Sequence, residues 1–216
     1  MNKKGLYIVF EGPDGSGKSV QAERVIERLN NQGFATLHYR EPGGEIGKKD
    51  TIGEKIRTLL QDNDNHINAM CEFALFTANR AQLIEEIKKH TDDGKNVICE
   101  RNFLSSIVYQ GYGRGIDLEF IIKVSQLFVD KLPDLVILYQ VNTQEGMQRV
   151  ADRGEKDRIE NASEDFHLRV FRGYESLKNI CDRLNIPYIV IETTDKNWHE
   201  YEEKAINEIL KRQQSR

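Results

Sequence analysis

The chain has 216 residues, of which 38% are apolar and 31% are charged, a composition that predicts one packed domain spanning 1–216 rather than a disordered chain. Its 31 lysines and arginines are outnumbered by 35 aspartates and glutamates, which gives a net charge of −4. This balance argues against binding to nucleic acid or to a membrane surface, because such binders usually carry a basic excess.

In chain order, short apolar runs alternate with longer amphipathic stretches. The runs predict strands at 6–10, 35–39, 97–99, 135–141 and 188–191. They are apolar without alternation, which predicts strands that are covered on both faces. Between the runs, apolar residues recur at helical spacing in stripes that begin at Ala22, Ile52 and Val170. Strands separated by helices predict βαβ crossovers, and therefore an α/β fold built on a parallel sheet.

Neither a membrane span nor a secretion signal is expected. The longest uninterrupted apolar runs have five residues, whereas a span needs about 20 and a signal peptide at least about 7. Cys71, Cys99 and Cys181 lie far apart and form no C-x-x-C pair, so neither a disulfide framework nor a zinc site is expected. We interpret all three as small buried hydrophobic residues with reduced thiols, in a cytoplasmic protein.

The strongest chemical signal is a glycine-rich segment at 12–19. It reads Gly-Pro-Asp-Gly-Ser-Gly-Lys-Ser, which is the G-x-x-x-x-G-K-[ST] pattern of a P-loop, and it follows a predicted strand and opens a predicted helix. Glycines allow the backbone to wrap around a phosphate, and the helix N-terminus offers free N–H groups. In such a loop Lys18 bridges the β- and γ-phosphates, and the Ser19 hydroxyl ligates Mg²⁺. The residues predicted to bind the nucleotide are Gly12, Pro13, Asp14, Gly15, Ser16, Gly17, Lys18 and Ser19.

A P-loop also needs a carboxylate from a second strand, which holds the metal ion through water. The apolar run at 97–99 ends in Glu100, whereas the run that begins at 135 ends in the neutral amide of Gln140. Glu100 is therefore the predicted partner of Ser19 at a magnesium site.

The arginines outside the P-loop indicate which class of nucleotide-binding enzyme this is. The chain has no guanine-reading N-K-x-D stretch, so a GTPase is not expected. Transfer between two phosphorylated molecules requires several cations, which neutralise the incoming anions and the charge of the transition state. The arginines at predicted strand and helix ends are Arg40, Arg57, Arg80, Arg101, Arg149, Arg153 and Arg158.

Five segments taken together resemble the thymidylate kinase family, over nearly the whole chain. They are the P-loop at 10–19, Arg-Glu-Pro-Gly-Gly at 40–44, Leu-Phe-Thr-Ala-Asn-Arg at 75–80, the stretch 100–111 with its Glu-Arg, Ser-Ser and Tyr-Gln-Gly, and Arg-Gly-Glu-Lys-Asp-Arg-Ile at 153–159. The resemblance implies ATP-dependent phosphorylation of dTMP to dTDP. It also implies a P-loop NTPase fold, with a five-stranded parallel sheet flanked by helices, in a homodimer.

The resemblance further implies roles for individual residues. Phe76 is expected to stack on the thymine ring and Arg80 to hydrogen-bond a base carbonyl; their spacing puts both on one helix face. Arg40 and Arg101 are expected to grip the 5′-phosphate of the acceptor, and Asp14 to accept a hydrogen bond from the sugar 3′-OH. Further substrate contacts are expected from Pro42, Arg57, Ser105, Ser106, Tyr109 and Gln110.

Position 15 is glycine, so the P-loop lacks an arginine that one branch of the family carries there. The segment at about 149–160 resembles the short basic lid of the other branch, which delivers that charge from a mobile flap. We therefore expect Arg149, Arg153 and Arg158 to close over the transferring phosphoryl group.

Three departures from the family pattern leave the acceptor open. Glu100 stands where the family usually has Asp, which moves the carboxylate by about a bond length. Asn102 replaces the customary aromatic residue or His, and residues 45–50 form an insertion expected near the acceptor phosphate. A kinase for dUMP or a 5-modified dUMP remains an alternative. A nucleotide-binding protein without transfer activity is the less favoured one.

Overall fold

The computed structural model describes residues 3–154 and 156–215 of the protein, and within them five strands form one sheet. The strand order is β2-β3-β1-β4-β5, and every neighbouring pair is parallel. The strands are β1 (Tyr7–Glu11), β2 (Thr36–Arg40), β3 (Asn96–Glu100), β4 (Leu135–Gln140) and β5 (Tyr188–Glu192). The helices are α1 (Lys18–Asn31), α2 (Ile52–Gln61), α3 (Ala69–Asp92), α4 (Phe103–Ser106), a π-helix (Ile107–Gly113), α5 (Leu118–Phe128), α6 (Thr143–Ala151), α7 (Glu164–Arg183) and α8 (Trp198–Gln214).

All five predicted strands are present, each within one residue of its expected bounds. The expectation that strands are covered on both faces is correct for the three central ones, since β1 and β3 are buried throughout and β4 is buried up to its last residue. It is wrong for β2 and β5, in which several residues are only partly buried. These two strands lie at the edges of the sheet, where one side has no neighbouring strand to cover it.

Helices pack on both faces of the sheet. On one face α1 and α8 bury Val25, Leu29 and Ile206 against β1 and β4. On the other face α3, the π-helix, α5 and α7 form a larger core, to which α7 contributes Val170 and Leu177. The predicted stripes beginning at Ala22, Ile52 and Val170 correspond to α1, α2 and α7. The apolar faces of α1 and α7 therefore cover the two faces of the parallel sheet, as expected for an α/β fold. Helix α2 instead packs on α3 and leaves Ile52 and Leu59 of its stripe exposed.

The longest helix, α3, gives no clear apolar stripe in the sequence. Several of its buried positions are polar or charged, among them Glu72, Asn79 and Arg80. Cys71 on this helix is exposed, which corrects the expectation that all three cysteines are buried; Cys99 and Cys181 are buried. A helix that buries polar side chains is invisible to a search for apolar periodicity, and here those side chains belong to the candidate site.

Parallel strands bring several predicted site segments to one edge of the sheet. The carboxyl ends of β1, β2 and β3 lead into the P-loop, the Arg-Glu-Pro-Gly-Gly turn and the Glu100-Arg101 pair, and Arg40 stands opposite Glu100 in the register. The predicted lid at 149–160 begins in the last turn of α6 and continues as a non-helical segment, of which residue 155 lies outside the described residues. Across 3–154 and 156–215, no helix has the length and apolar character needed to cross a membrane.

Gly53 fixes how closely α2 packs on the turn that follows β2. A Cβ at this position would lie 1.8 Å from the carbonyl oxygen of Gly43. In an open helix a Gly→Ala change stabilises by about 1 kcal/mol. We expect Gly53→Ala instead to lower the free energy of unfolding by about 1–3 kcal/mol, because α2 must shift away from the turn.

Urea denaturation followed by circular dichroism measures this change. The matched control is Lys55→Ala on the exposed side of α2, which we expect to change the free energy of unfolding by less than about 0.5 kcal/mol. A Gly53→Ala variant as stable as the parent chain would contradict the tight packing of α2 on Gly43.

Candidate active site

The P-loop joins β1 to α1 and packs tightly against its neighbours. Gly15 and Gly17 both have φ of 82°, a left-handed conformation that glycine adopts without steric cost. A Cβ on Gly15 would lie 2.4 Å from the carbonyl oxygen of Gly146, and one on Gly17 would lie 2.5 Å from the ring of Trp198. Only glycine fits at these positions, so the loop backbone is held in one conformation ahead of the N-terminus of α1.

Lys18 is almost completely buried and folds back over the loop. Its Nζ lies 3.4 Å from Asp14 Oδ1 and 3.5 Å from the carbonyl oxygen of Pro13. Burial lowers the pKa of Lys18, and the nearby Arg101 lowers it further, while Asp14 and Glu100 act in the opposite direction. A phosphate in the loop would add the negative charge that favours the ammonium form.

Ser19 and Glu100 meet as the sequence predicts. The Ser19 hydroxyl donates a hydrogen bond to Oε2 of Glu100, and Oε1 of the same carboxylate lies 2.9 Å from Nε2 of His38. Burial alone would raise the pKa of Glu100, but hydrogen bonds from His38 and Ser19 and the charge of Lys18 lower it below its ordinary value. Glu100 is therefore ionised at neutral pH.

The oxygen atoms of this pair suit a hard cation such as Mg²⁺, which takes one or two protein ligands together with nucleotide phosphates and water. Within the described ranges, no group of three or more His, Cys, Asp or Glu side chains forms a site of its own for a metal ion. The protein part of the site thus fits a metal ion that arrives with a nucleotide.

Arg101 connects the P-loop to the elements that follow β3. Its Nη2 lies 2.5 Å from Asp14 Oδ1, and its Nη1 donates to the carbonyl oxygen of Gly12, to Ser105 Oγ and to the hydroxyl of Tyr174. Tyr109 donates to the second oxygen of Asp14 at 2.8 Å. Burial would raise the pKa of Asp14, but Arg101, Lys18 and Tyr109 together lower it well below its ordinary value.

A single cleft of about 380 Å³ collects most of the predicted site, and this volume lies in the range of about 300–1,000 Å³ that is usual for ligand pockets. It runs from the P-loop to the first turns after β2 and β3. The predicted residues that line it are Asp14, Lys18, Ser19, Arg40, Pro42, Arg57, Phe76, Glu100, Arg101, Ser105, Ser106, Tyr109, Gln110 and Arg153.

Two of the lining arginines are held by neighbours on α2 and on the turn after β2. Arg40 Nη2 lies 3.1 and 3.2 Å from the two carboxylate oxygens of Glu54. Arg57 donates to the carbonyl oxygen of Pro42 at 2.9 Å, and the Glu41–Pro42 peptide bond is cis. Burial lowers the pKa of Arg57, and the charge of Arg40 lowers it further. Two cations close enough to repel each other favour the binding of an anion between them.

Arg80 lies just behind the cleft and is buried. It forms an ion pair with Glu41 and donates to Ser106 Oγ at 2.9 Å. Its Nε and Nη1 have no hydrogen-bond partner within the described residues. Buried donors without a partner are costly, so an acceptor atom on a ligand would satisfy a need that the protein side chains leave open.

The three lid arginines occupy three different environments. Arg153 is 57% exposed in its side chain, pairs with Glu160 and lines the cleft. Arg158 forms an ion pair with Glu72 at 2.8 Å and donates to the carbonyl oxygen of Leu60 at 2.9 Å.

Arg149 contacts the outer side of the P-loop. It donates to the carbonyl oxygens of Gly15 at 3.1 Å and Thr193 at 2.9 Å, and its guanidinium group lies over the ring of Trp198. Of the three arginines, Arg153 alone lines the cleft in this conformation.

Several residues that line the cleft were not predicted from the sequence. Ile46, the second residue of the insertion at 45–50, lines the cleft, so part of this insertion does lie at the site. The remaining newly found lining residues are Glu23, Glu41, Gln61, Asp157, Ile159 and Glu160. Glu41 and Asp157 fall inside quoted motifs, which is a signal that could have found them. Glu23 and Gln61 carry no such signal, because only the packing of α1 and α2 brings them to the cleft.

The fold and the cleft define the class of protein, a P-loop phosphotransferase with arginines facing its phosphate loop. A family model described as thymidylate kinase matches residues 10–201. The chain belongs to the thymidylate kinase family, and the family predicted from the motifs is confirmed. Membership implies the ATP-dependent phosphorylation of dTMP to dTDP that the motifs predicted.

Individual relatives agree with this assignment. The thymidylate kinase of Caldicellulosiruptor saccharolyticus is 35% identical over 212 residues, which cover 97% of this chain and 99% of the relative. That of Thermoanaerobacter sp. (strain X514) is 42% identical over 176 residues, covering 81% and 84%. The crystal structure of thymidylate kinase from Ehrlichia chaffeensis superposes with a TM-score of 0.73 at 27% identity, covering 96% of this chain and 99% of that one.

Glu72 joins the lid to the floor of the cleft. This buried carboxylate on α3 accepts from Gln110 Nε2 at 3.0 Å and from Arg114 at 3.1 Å, in addition to its ion pair with Arg158. Burial would raise the pKa of Glu72, but the hydrogen bonds from Arg114 and Gln110 lower it below its ordinary value. The pKa of Glu72 is lower in the folded chain than in the unfolded chain, so the ionised carboxylate contributes to the free energy of unfolding. This contribution is complete above the unfolded-state pKa and is lost as pH falls through the folded-state pKa.

We expect Glu72→Gln to lower the free energy of unfolding by about 3 kcal/mol at neutral pH, because it leaves Arg114 and Arg158 without their countercharge. The difference from the parent chain should shrink as pH falls below the unfolded-state pKa of about 4.3 and through the lower folded-state pKa, since the parent carboxylate becomes protonated over this range. Urea denaturation at several pH values measures this, with Glu85→Gln on the exposed side of α3 as the matched control. A deficit that is the same at every pH would rule out the charge of Glu72 as its cause.

Proposed function

We propose that the protein transfers the γ-phosphoryl group of Mg²⁺·ATP to dTMP. The observation that carries this is the single cleft, in which Lys18 and Ser19 of the P-loop face Arg40 and Arg101. Donor and acceptor phosphates in one enclosed space can be held in line for transfer. We infer that residues 1–216 act as one kinase domain in the cytoplasm, with the lid at about 149–160.

The donor is assigned to the P-loop. The backbone N–H groups between Gly12 and Ser19, except at Pro13, which has none, would hold the β- and γ-phosphates together with the ammonium group of Lys18. The Ser19 hydroxyl and the Glu100 carboxylate would hold Mg²⁺. Mg²⁺ held there would neutralise the charge that develops on the phosphate oxygens. The direct contact between the Ser19 hydroxyl and the Glu100 carboxylate supports the assignment of the magnesium site to this pair.

The acceptor is assigned to the other end of the cleft. Phe76 stacks on the base, and the unpartnered donors of Arg80 serve a base carbonyl. Ser105, Ser106 and Gln110 line the walls of the same region.

Arg40, Arg57 and Arg101 position the 5′-phosphate. The Asp14 carboxylate already accepts hydrogen bonds from Arg101 and Tyr109. A sugar hydroxyl would therefore be a third donor to the same carboxylate.

No general base is needed in this reaction. An ionised phosphate oxygen is itself a nucleophile, so positioning and charge neutralisation supply the catalysis. Arg153 is the lid residue that neutralises charge on the transferring group, since it lines the cleft and its ion pair with Glu160 leaves its side chain 57% exposed. Arg149 and Arg158 reach the phosphates only if the lid rearranges, and in the present conformation they brace the P-loop and α3.

Another pyrimidine monophosphate remains the second candidate. Ile46 from the insertion lines the cleft, so the insertion contributes to the volume that is open to a substrate. This favours testing dUMP and a 5-modified dUMP beside dTMP.

The decisive experiment is ADP release from Mg²⁺·ATP with a panel of dTMP, dUMP, 5-hydroxymethyl-dUMP, dCMP, dAMP, dGMP and thymidine. We expect the highest kcat/KM with dTMP and little turnover with thymidine, which lacks the phosphate that Arg40 and Arg101 hold. Lys18→Ala is the matched control, and it should lose at least about 100-fold in kcat while circular dichroism shows an intact fold. Higher turnover with another monophosphate would replace dTMP as the acceptor, and ATP binding without any turnover would favour the binding-protein alternative.

We also propose that the protein is a homodimer and that it does not bind nucleic acid. Along α5 and the turn after it, Phe120, Leu127, Phe128 and Leu132 are exposed, and contiguous exposed apolar surface is typical of an interface.

Sedimentation-velocity ultracentrifugation should therefore give about twice the monomer mass. Leu127→Glu should shift the species toward the monomer, because Leu127 is 80% exposed in the isolated chain and a buried charge would be left unpaired in an interface. Leu168→Glu is the control, because it introduces the same charge at an exposed leucine on a different helix, α7, where the side chain is 37% exposed. A monomer at all concentrations would overturn the homodimer.

A further inference from the structure

The carboxylate assigned to the magnesium site has an additional partner on the neighbouring strand. His38 lies on β2 and Glu100 at the end of β3, and the register pairs Arg40 with Glu100 and His38 with Ile98. His38 Nε2 lies 2.9 Å from Glu100 Oε1, and both side chains are largely buried, with 14% and 11% exposure. The contact is therefore built into the sheet edge and is shielded from water.

The two oxygens of Glu100 have different partners. Oε2 accepts from Ser19, the P-loop hydroxyl, whereas Oε1 faces His38 on the opposite side. A glutamate side chain has one more rotatable bond than an aspartate, so without a second contact its carboxylate would sample several positions. A hydrogen bond to Oε1 removes this freedom and leaves Oε2 directed at Ser19.

The insertion supports His38 from its backbone side. The amide of Ile46 donates to the carbonyl oxygen of His38 at 2.8 Å, and Tyr39 pairs with Glu45 in an antiparallel bridge. The segment after β2 thus folds back along the strand that carries His38. Two of the three departures from the family pattern, the longer carboxylate of Glu100 and the insertion at 45–50, therefore contact His38.

We propose that His38 is a positioning residue, whose ring N–H fixes the Glu100 carboxylate in the orientation that serves Mg²⁺ beside Ser19. The inference rests on the proposed function only in placing the metal ion of the donor at Ser19 and Glu100. Partners that orient a metal-binding side chain typically change metal affinity by about 10- to 100-fold when they are removed. Because His38 is not itself a ligand, its loss should act on the metal and leave the metal-free nucleotide contacts unchanged.

Isothermal titration calorimetry with a non-hydrolysable ATP analogue tests this in the full chain, first in excess Mg²⁺ and then in EDTA. We expect His38→Ala to weaken the Mg²⁺-dependent gain in affinity by about 10-fold, and to leave the Kd in EDTA within about 2-fold of the parent. His38→Gln keeps an N–H donor and should restore part of the gain. His66→Ala, an exposed histidine in the turn between α2 and α3, is the matched control and should change neither Kd.

A second pair of variants separates orientation from general packing. In a Glu100→Asp background the shorter carboxylate no longer reaches His38, so adding His38→Ala should change the Mg²⁺-dependent gain by less than about 2-fold. Equal losses with and without Mg²⁺, or an undiminished loss in the Glu100→Asp background, would overturn the proposal. If His38→Ala does not fold, the Mg²⁺-dependent gain in affinity is compared between His38→Gln and the parent chain. The same measurement on the Glu100→Asp pair then tests whether His38 acts through Glu100.

The dTMP assay on the parent chain distinguishes this outcome from failure of the proposed function. Absence of turnover together with a His38-dependent Mg²⁺ effect would reject the kinase assignment and keep the role of His38. Normal turnover without an effect of His38 on the Mg²⁺-dependent affinity would keep the kinase assignment and reject the role of His38.

Discussion

The ion pair between Arg101 and Asp14 is the contact on which the rest of the site depends. Arg101 follows β3 and has a φ of 71°, an unusual conformation for a residue other than glycine. From there its guanidinium group reaches the P-loop, α4 and α7 through Asp14, Ser105 and Tyr174. The P-loop and the end of β3 are thus fixed relative to each other by one side chain.

Most arginines of the cleft are held by carboxylates, whereas Arg57 donates to the carbonyl oxygen of Pro42. Arg40 pairs with Glu54 and Arg153 with Glu160. Such pairs keep each guanidinium group in place, so that less conformational entropy is lost when a phosphate binds. The exposed pair of Arg153 is the easiest to exchange, because it is screened by water, and this suits a group that moves with a lid.

Much of the fold follows from local patterns. The five strands, the P-loop and the meeting of Ser19 with Glu100 could all be predicted, because apolar runs mark buried parallel strands and their carboxyl ends share one edge of the sheet. The partners of the lid arginines could not be predicted. Arg149 and Arg158 lie in a recognisable basic segment, yet their contacts with Gly15 and Glu72 depend on how α6 packs on the P-loop and how the lid docks on α3.

The sequence by itself determined the family, the chemistry and the end of the sheet where that chemistry takes place, since these depend on residue types at short spacings. Tertiary structure alone decided that His38 contacts Glu100, that Glu72 pairs with Arg158, and that two buried donors of Arg80 have no partner among the described residues. His38 and Glu100 are 62 positions apart in the sequence, and Glu72 and Arg158 are 86 positions apart. Periodicity describes one helix or strand at a time, so it carries no information about which side chains meet when those elements pack.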